Sequence, residues 1–405
     1  MIRSSQKLLR ATTGMLVPAA RDNNFVMSEA LAHIEQACDN ICPPAPRKPL
    51  RKVTVVGAGS DVGCIASLFL KQQSVIKILA LYDDVPENKV MGVATDISHI
   101  DTSPRVEGYE GKFYLKDALK DADVVLICGG CFIMPKSCDT SDYEIFMANM
   151  HRVRTTVLAS ARFCPKAVIA VQTPPVDANF AMAVHTLKVN GVYNMRKVLG
   201  INAINSMRAN QLFCSLTGTD SLQNSIPVVG GTTRTTRVPV FSAGKAGNFP
   251  TNQANCLTKL VRDADEIICK VKNNCEQGHL SIGFSTARFV TSIMKGLFEG
   301  KSFIDSALVQ QADPTKCFGL KYCATPVSVS EGGISEYAVP TLSEAEKSLL
   351  EQSKCDLLDL LHLGKCYGKG DDYQPLSCKI RLPPPKPCPM RTDCPNKCNK
   401  TQYAP

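Results

Sequence analysis

Tryptophan is absent from the 405 residues, and the aromatics together make up only 6% of them. No uninterrupted apolar run reaches the length of a bilayer span, which excludes a helical membrane protein. Basic stretches interleaved with aromatics are missing too, and the formal charge of +9 sits partly in the two ends of the chain. A nucleic-acid surface is therefore not expected. Hydrophobic residues at 44% and charged residues at 20% exclude a wholly disordered chain and suit a globular one. The length allows two buried domains plus tails.

Acidic residues are missing from positions 1–21, which carry Arg3, Lys7, Arg10 and Arg21; the first acid is Asp22. With frequent Ser and Thr and the apolar Leu8, Leu9, Leu16 and Val17, this is the composition of a mitochondrial transit peptide, the alternative being an ordinary basic terminus. Residues 22–50 read as a linker. Ser28 to Asn40 has helical apolar spacing that Cys42-Pro43-Pro44-Ala45-Pro46 breaks. The 19 cysteines are numerous. In the central region they stand singly among apolar neighbours (Cys128, Cys164, Cys214, Cys269), which reads as buried thiols in a reducing compartment rather than a disulfide framework.

The most informative stretch runs from Lys52 to Gly63. Val53, Thr54, Val55 and Val56 form a β-branched apolar run, followed by Gly57-Ala58-Gly59-Ser60-Asp61-Val62-Gly63 and a helical pattern through Leu68, Phe69 and Leu70. A second apolar run, Ile78 to Tyr82, ends at Asp83, 20 positions after Gly63. Strand, glycine turn, helix, strand and acid is the order of a dinucleotide-binding βαβ unit. Gly57 permits the tight turn, Gly59 lets a pyrophosphate approach the backbone, and Gly63 lets the helix pack on the strand. The helix N-terminus offers free N–H groups and a positive dipole end. Asp83 accepts bonds from ribose hydroxyls. The alternative is a Rossmann-like domain with an empty cleft.

Further along, Gly92 to Ile100 and Ile145 to Phe163 have helical patterns. Asp123 to Ile127 and Ala167 to Val171 read as buried strands. Alternation of this kind predicts an α/β fold with a doubly wound parallel sheet, in which the loops after Val56, Tyr82, Ile127 and Val171 share one cleft.

These motifs, with Ala94-Thr95-Asp96-Ile97-Ser98-His99-Ile100, Phe163-Cys164-Pro165-Lys166-Ala167, Met207-Arg208-Ala209-Asn210, Pro227-Val228-Val229-Gly230-Gly231 and Ala287-Arg288-Phe289, make the chain resemble the malate/lactate dehydrogenase family, nearest its mitochondrial-type malate dehydrogenases. The resemblance implies a Rossmann-type domain over residues 51–199 and a second α+β substrate domain over 200–368. It also implies NAD as cofactor, a homodimer and the mitochondrial matrix.

The family's chemistry moves a hydride between NAD and a 2-hydroxy or 2-keto acid. It needs a histidine near neutral pKa, a carboxylate to orient it, and guanidinium groups that grip the substrate carboxylate. By the resemblance, the histidine follows the paired glycines, where this chain has Thr232. The orienting aspartate falls on Asn205. The substrate loop, Phe132 to Thr140, has no arginine, and Pro174 replaces a substrate-contacting asparagine. Arg208 alone remains for binding a small carboxylate. Gly57, Gly59, Gly63, Asp83 and Asn149 remain at cofactor positions. Asp61 is expected to cap the helix and repel pyrophosphate, and Ile282 stands at the nicotinamide side. His99, His151 and His185 are expected to be surface or packing residues. The expectation is a pseudoenzyme with no intact catalytic residues, structural or regulatory in role. The alternative is a working NAD-dependent malate or 2-hydroxy acid dehydrogenase of the tricarboxylic acid cycle with altered catalytic residues.

Ser343-Glu344-Ala345-Glu346 is a capping box that starts a last helix expected to end near Gly364. Residues 369–405 read as a Pro/Cys-rich disordered tail. Cys378, Cys388, Cys394 and Cys398 as zinc thiolates, or as cross-linking thiols, are the alternatives.

Overall fold

Every residue of strand β1 (Lys52–Val56) is buried, because parallel strands flank it on both sides. The computed structural model describes residues 50–130, 141–245, 249–272, 278–376 and 378. The expected transit peptide, the linker up to residue 49, the arginine-free loop at 132–140 and the chain from 379 lie outside the described residues.

The turn after β1 leads into helix α1 (Asp61–Lys71) and then β2 (Ile78–Asp83), which pairs with β1 in parallel. Helix α2 (Val90–Ser98) and strand β3 (Arg105–Glu110) follow, then α3 (Leu115–Leu119) and β4 (Val124–Ile127). Helix α4 (Asp142–Phe163), β5 (Val168–Val171), α5 (Val176–Val189) and β6 (Val198–Ile201) complete the first half. These six strands lie in the order β3-β2-β1-β4-β5-β6, all parallel. The chain direction across the sheet reverses between β1 and β4, the switch point where doubly wound sheets receive ligands.

The β-branched runs that identify these strands in the sequence are buried on both faces. Val55, Leu79, Leu81 and Leu126 point into a core shared with α1, α2 and α8, whereas Val56, Val125, Ile127 and Val171 point into one shared with α4 and α5. Phe146 and Phe180 are fully buried in the second core, each contributing roughly 2 kcal/mol relative to exposure.

The second half comprises α6 (Ala203–Thr217), β7 (Val228–Gly230), β8 (Arg237–Pro239), α7 (Thr251–Val271), α8 (His279–Phe298), β9 (Ser302–Gln310), β10 (Tyr322–Ser330), β11 (Gly333–Tyr337) and α9 (Glu344–Lys369). Strand β9 pairs antiparallel with β6, through Gly200 with Leu308 and Ile201 with Ala307, so one 11-stranded sheet runs through both halves. No helix among the described residues is long and apolar enough to cross a membrane.

Three expectations need correction. Helix α9 begins at the capping box as read, with Ser343 accepting from the Glu346 N–H, but it passes Gly364 and ends at Lys369, capped by Gly370 at φ +86°. Gly364 is a packing residue rather than a stop: a Cβ there would lie 1.9 Å from the Ala178 carbonyl oxygen of α5. The assigned tail also begins with ordered chain, since Tyr373 Oη and the Leu376 N–H both donate to Asp359, at 3.0 Å each. Finally, Cys378 is joined to Cys355 by a disulfide and is no zinc thiolate, and Cys269 is disulfide-bonded rather than a free buried thiol. Cys128, Cys164 and Cys214 are buried free thiols as expected.

Candidate functional site

The turn after β1 is built from backbone. Gly57 sits at φ +89°, and a Cβ on it would come within 2.2 Å of Gly129 at the end of β4. Gly63 stands inside the first turn of α1, one residue later than in the G-x-G-x-x-G spacing. A Cβ on Gly63 would meet the Gly57 carbonyl oxygen at 2.0 Å, so the close helix–strand approach expected of it is present. Ser60, not Asp61, caps α1: its Oγ accepts from the Gly63 N–H at 3.2 Å and donates to the Gly57 carbonyl at 2.7 Å. The Asp61 side chain is 78% exposed and lies 3.8 Å from His279 Nδ1.

Gly59 and Asp83 serve one another rather than open solvent. A Cβ on Gly59 would strike Asn88 at 2.6 Å, and the Gly59 N–H donates to Asp83 Oδ2 at 3.2 Å. Asn88 Nδ2 donates to the same oxygen at 2.8 Å. Oδ1 accepts from the Val85 N–H at 3.1 Å and faces Arg152 Nη1 at 3.4 Å. Asp83 has no exposed surface. The space at Gly57, Gly59 and Gly63 is taken up by Gly129, Asn88 and the Gly57 carbonyl, and Asp83, expected to accept from a ribose, has its lone-pair positions engaged by protein donors in this arrangement. Asn149 is buried on α4 and donates to the Pro174 carbonyl at 2.7 Å, next to the cis Pro174–Pro175 bond.

A cleft of about 420 Å³ is lined by Asn205, Thr232, Arg237, Asp265 and Ile282 among others. Among the described residues its lining holds no histidine. His99 and His151 are exposed. His185 packs near Tyr322, and burial followed by the neighbouring Lys188 pushes its pKa down to about 4.

Thr232 is locked to a buried carboxylate. Its N–H donates to both oxygens of Asp177, at 2.9 and 3.1 Å, and its Oγ1 donates to Oδ1 at 2.9 Å. Thr236 Oγ1 donates to Oδ2 at 2.8 Å. Burial pushes the Asp177 carboxyl above its ordinary range, and the threonine donors oppose that shift. Asn205 is as fully engaged. Its amide donates to Asn202 Oδ1 at 2.7 Å and to the Thr232 carbonyl at 3.0 Å, and its Oδ1 accepts from Arg237 Nη1.

Arg208 is turned toward an internal anion. Its Nη1 lies 2.7 Å from Asp265 Oδ1, and Arg237 Nη2 donates to Asp265 Oδ2 at 2.9 Å. The Arg208 contact is ionic rather than a directed hydrogen bond, since neither Nη has an aligned acceptor among the described residues. Burial alone would raise Asp265; Arg208 and then Arg237 outweigh it and hold the carboxyl at about 2.

The structure thus brings Asn205 and Thr232 onto one cleft, which Arg208 reaches only through Asp265, and groups Gly57, Gly59, Gly63 and Asp83 at the turn after β1. Sequence reasoning missed Asn88, Arg152, Asp177, Arg237 and Asp265. The one local signal was the run Thr232-Thr233-Arg234-Thr235-Thr236-Arg237, dense in donors directly after the paired glycines.

A parallel sheet in this order, with a glycine turn at its switch point and a second lobe joined through an antiparallel strand, defines the class of two-lobed dinucleotide-fold proteins. The chain belongs to the lactate/malate dehydrogenase family. Residues 51–200 match its NAD binding domain, and residues 202–366 match its alpha/beta C-terminal domain. NAD is accordingly the cofactor of the first domain's family. The mitochondrial malate dehydrogenase of Homo sapiens is 30% identical over 324 residues, covering 80% of this chain and 91% of the human protein. That of Caenorhabditis elegans is 31% identical over 322 residues, covering 79% and 92%. Among solved structures, the malate dehydrogenase from Picrophilus torridus in its apo form superposes with a TM-score of 0.67 at 18% identity, covering 78% of this chain and 98% of that one. The lactate dehydrogenase from Cryptosporidium parvum complexed with lactic acid and NAD gives 0.66 at 18% identity, covering 78% and 99%.

Proposed function

We propose that this protein is a catalytically silent malate-dehydrogenase scaffold with a structural or regulatory role in the mitochondrial matrix, assembled as a homodimer. We assign it a transit peptide at 1–21, a dinucleotide-fold domain at 51–199 and a second domain at 200–368. The observation that carries the reading is Thr232. A hydroxyl, here donating to buried Asp177, is far too weak a base near neutral pH to take the proton of a substrate alcohol. Arg208 adds support, because the guanidinium expected to grip a substrate carboxylate already grips Asp265. Without a base and a free clamp, both proton transfer and positioning are lost, and each alone is worth orders of magnitude in rate.

Purified full-length protein with malate and NAD should form NADH no faster than a protein-free blank. Turnover at the rate of an ordinary malate dehydrogenase would overturn the proposal. It would favour a working dehydrogenase with altered residues.

A further inference from the structure

The cation of Arg152 lies in the crevice where a dinucleotide's adenosine end would be received. That crevice is fixed by topology, at the reversal of strand order between β1 and β4. Its floor is Gly57 and Gly129. Arg152 enters from α4, with Nη1 only 2.9 Å from where a Cβ on Gly129 would stand. From there the guanidinium spans two adjacent carboxylates, with Nη1 3.4 Å from Asp83 Oδ1 and Nη2 3.0 Å from Asp84 Oδ1. Asn88 closes the other side of Asp83, through Oδ2.

A carboxylate has about four lone-pair positions. Gly59, Val85, Asn88 and Arg152 direct donors at all of them, and no surface of Asp83 remains exposed. A ribose diol would need those same positions. The contacts within the protein are charge-assisted and require no loss of translational freedom, so they compete well against a diffusing ligand.

We propose that Arg152, supported by Asn88, is a built-in latch on the adenosine-ribose subsite. Adenosine-bearing nucleotides of the NAD type bind only after Arg152 has released Asp83, and the chain's affinity for them is reduced by the fraction of molecules that are latched. The latch concerns binding alone and does not depend on whether the cleft is catalytic.

Calorimetric titration of the full chain with ADP-ribose tests it. Arg152→Ala should bind ADP-ribose at least tenfold tighter than the wild type, or than its upper bound if no binding is measurable. Arg154→Ala, an exposed neighbour on the same helix, should leave the affinity unchanged. Nicotinamide mononucleotide, which carries no adenosine, should gain nothing from Arg152→Ala. Should Arg152→Ala fail to fold, Asn88→Ala serves as the second variant. It keeps the ion pairs, frees one lone-pair position on Asp83 Oδ2, and should gain severalfold. Equal or weaker ADP-ribose binding by a folded variant, absence of binding in wild type and variants alike, or an equal gain for nicotinamide mononucleotide would overturn the proposal.

Discussion

At position 232, where the proposed reading sets a threonine hydroxyl in place of an imidazole, the surroundings matter as much as the proton chemistry. Asp177, 55 residues away in the chain, supplies a buried acceptor that the hydroxyl satisfies. For this reason Thr232→His combined with Asn205→Asp is expected to leave malate-dependent NADH formation at the blank, because Arg208 and Arg237 stay bound to Asp265. A clear rise in NADH absorbance for the double variant would contradict this. Asp265 itself sets a pH dependence. Its folded pKa, about 2, lies below the ordinary 3.8, so the unfolded chain takes up the proton first as pH falls. The stability it contributes is complete above that ordinary value and is lost as pH drops through about 2. With 35% of the side chain open to the cleft, solvent screening reduces the contribution to about 1 kcal/mol. Asp265→Asn should flatten the acid limb of the melting temperature against pH, and parallel limbs in variant and wild type would refute the assignment.

At the scale of elements, helix α9 illustrates what local pattern reveals and what it hides. Its start was legible, because Ser343 and Glu346 satisfy each other's backbone N–H groups whatever lies nearby. Its end was not, because Gly364 read as a stop and is instead, like Gly368, a contact point with α5. Gly364→Ala, which helix propensity alone would make stabilising by about 1 kcal/mol, is expected to cost about 2 kcal/mol by forcing α5 and α9 apart. Urea denaturation checks this, and a stabilised variant would rule out the close packing. The same division holds for the site. The β-branched runs of β1 and β4 could be read directly, as could Thr232 and Asn205, on which the proposed reading rests, since each is a property of one short stretch. The partners that engage Thr232, Asn205, Asp83 and Arg208 come from Asp177, Arg237, Asn88, Arg152 and Asp265, and only tertiary packing brings them together.

For the whole molecule, the disulfide between Cys355 and Cys378 ties the chain beyond α9 back onto that helix, where Tyr373 and Leu376 also meet Asp359. Tyr373 stacks on Tyr143 at the start of α4, with ring centroids 6.0 Å apart, so the tie also joins α9 to α4. Reduction with dithiothreitol is expected to speed tryptic cleavage after Lys369 severalfold, followed by gel electrophoresis over time. An unchanged cleavage rate would show that the segment holds without the covalent link. The pairing of β6 with β9 acts on a larger scale still. Because Gly200 and Ile201 are hydrogen-bonded into the same sheet as Ala307 and Leu308, the lobes are stitched along a seam and cannot swing apart like jaws. Among the described residues, a change in the width of the opening then falls to a sliding of helices or a turn of a side chain rather than to a hinge between the lobes.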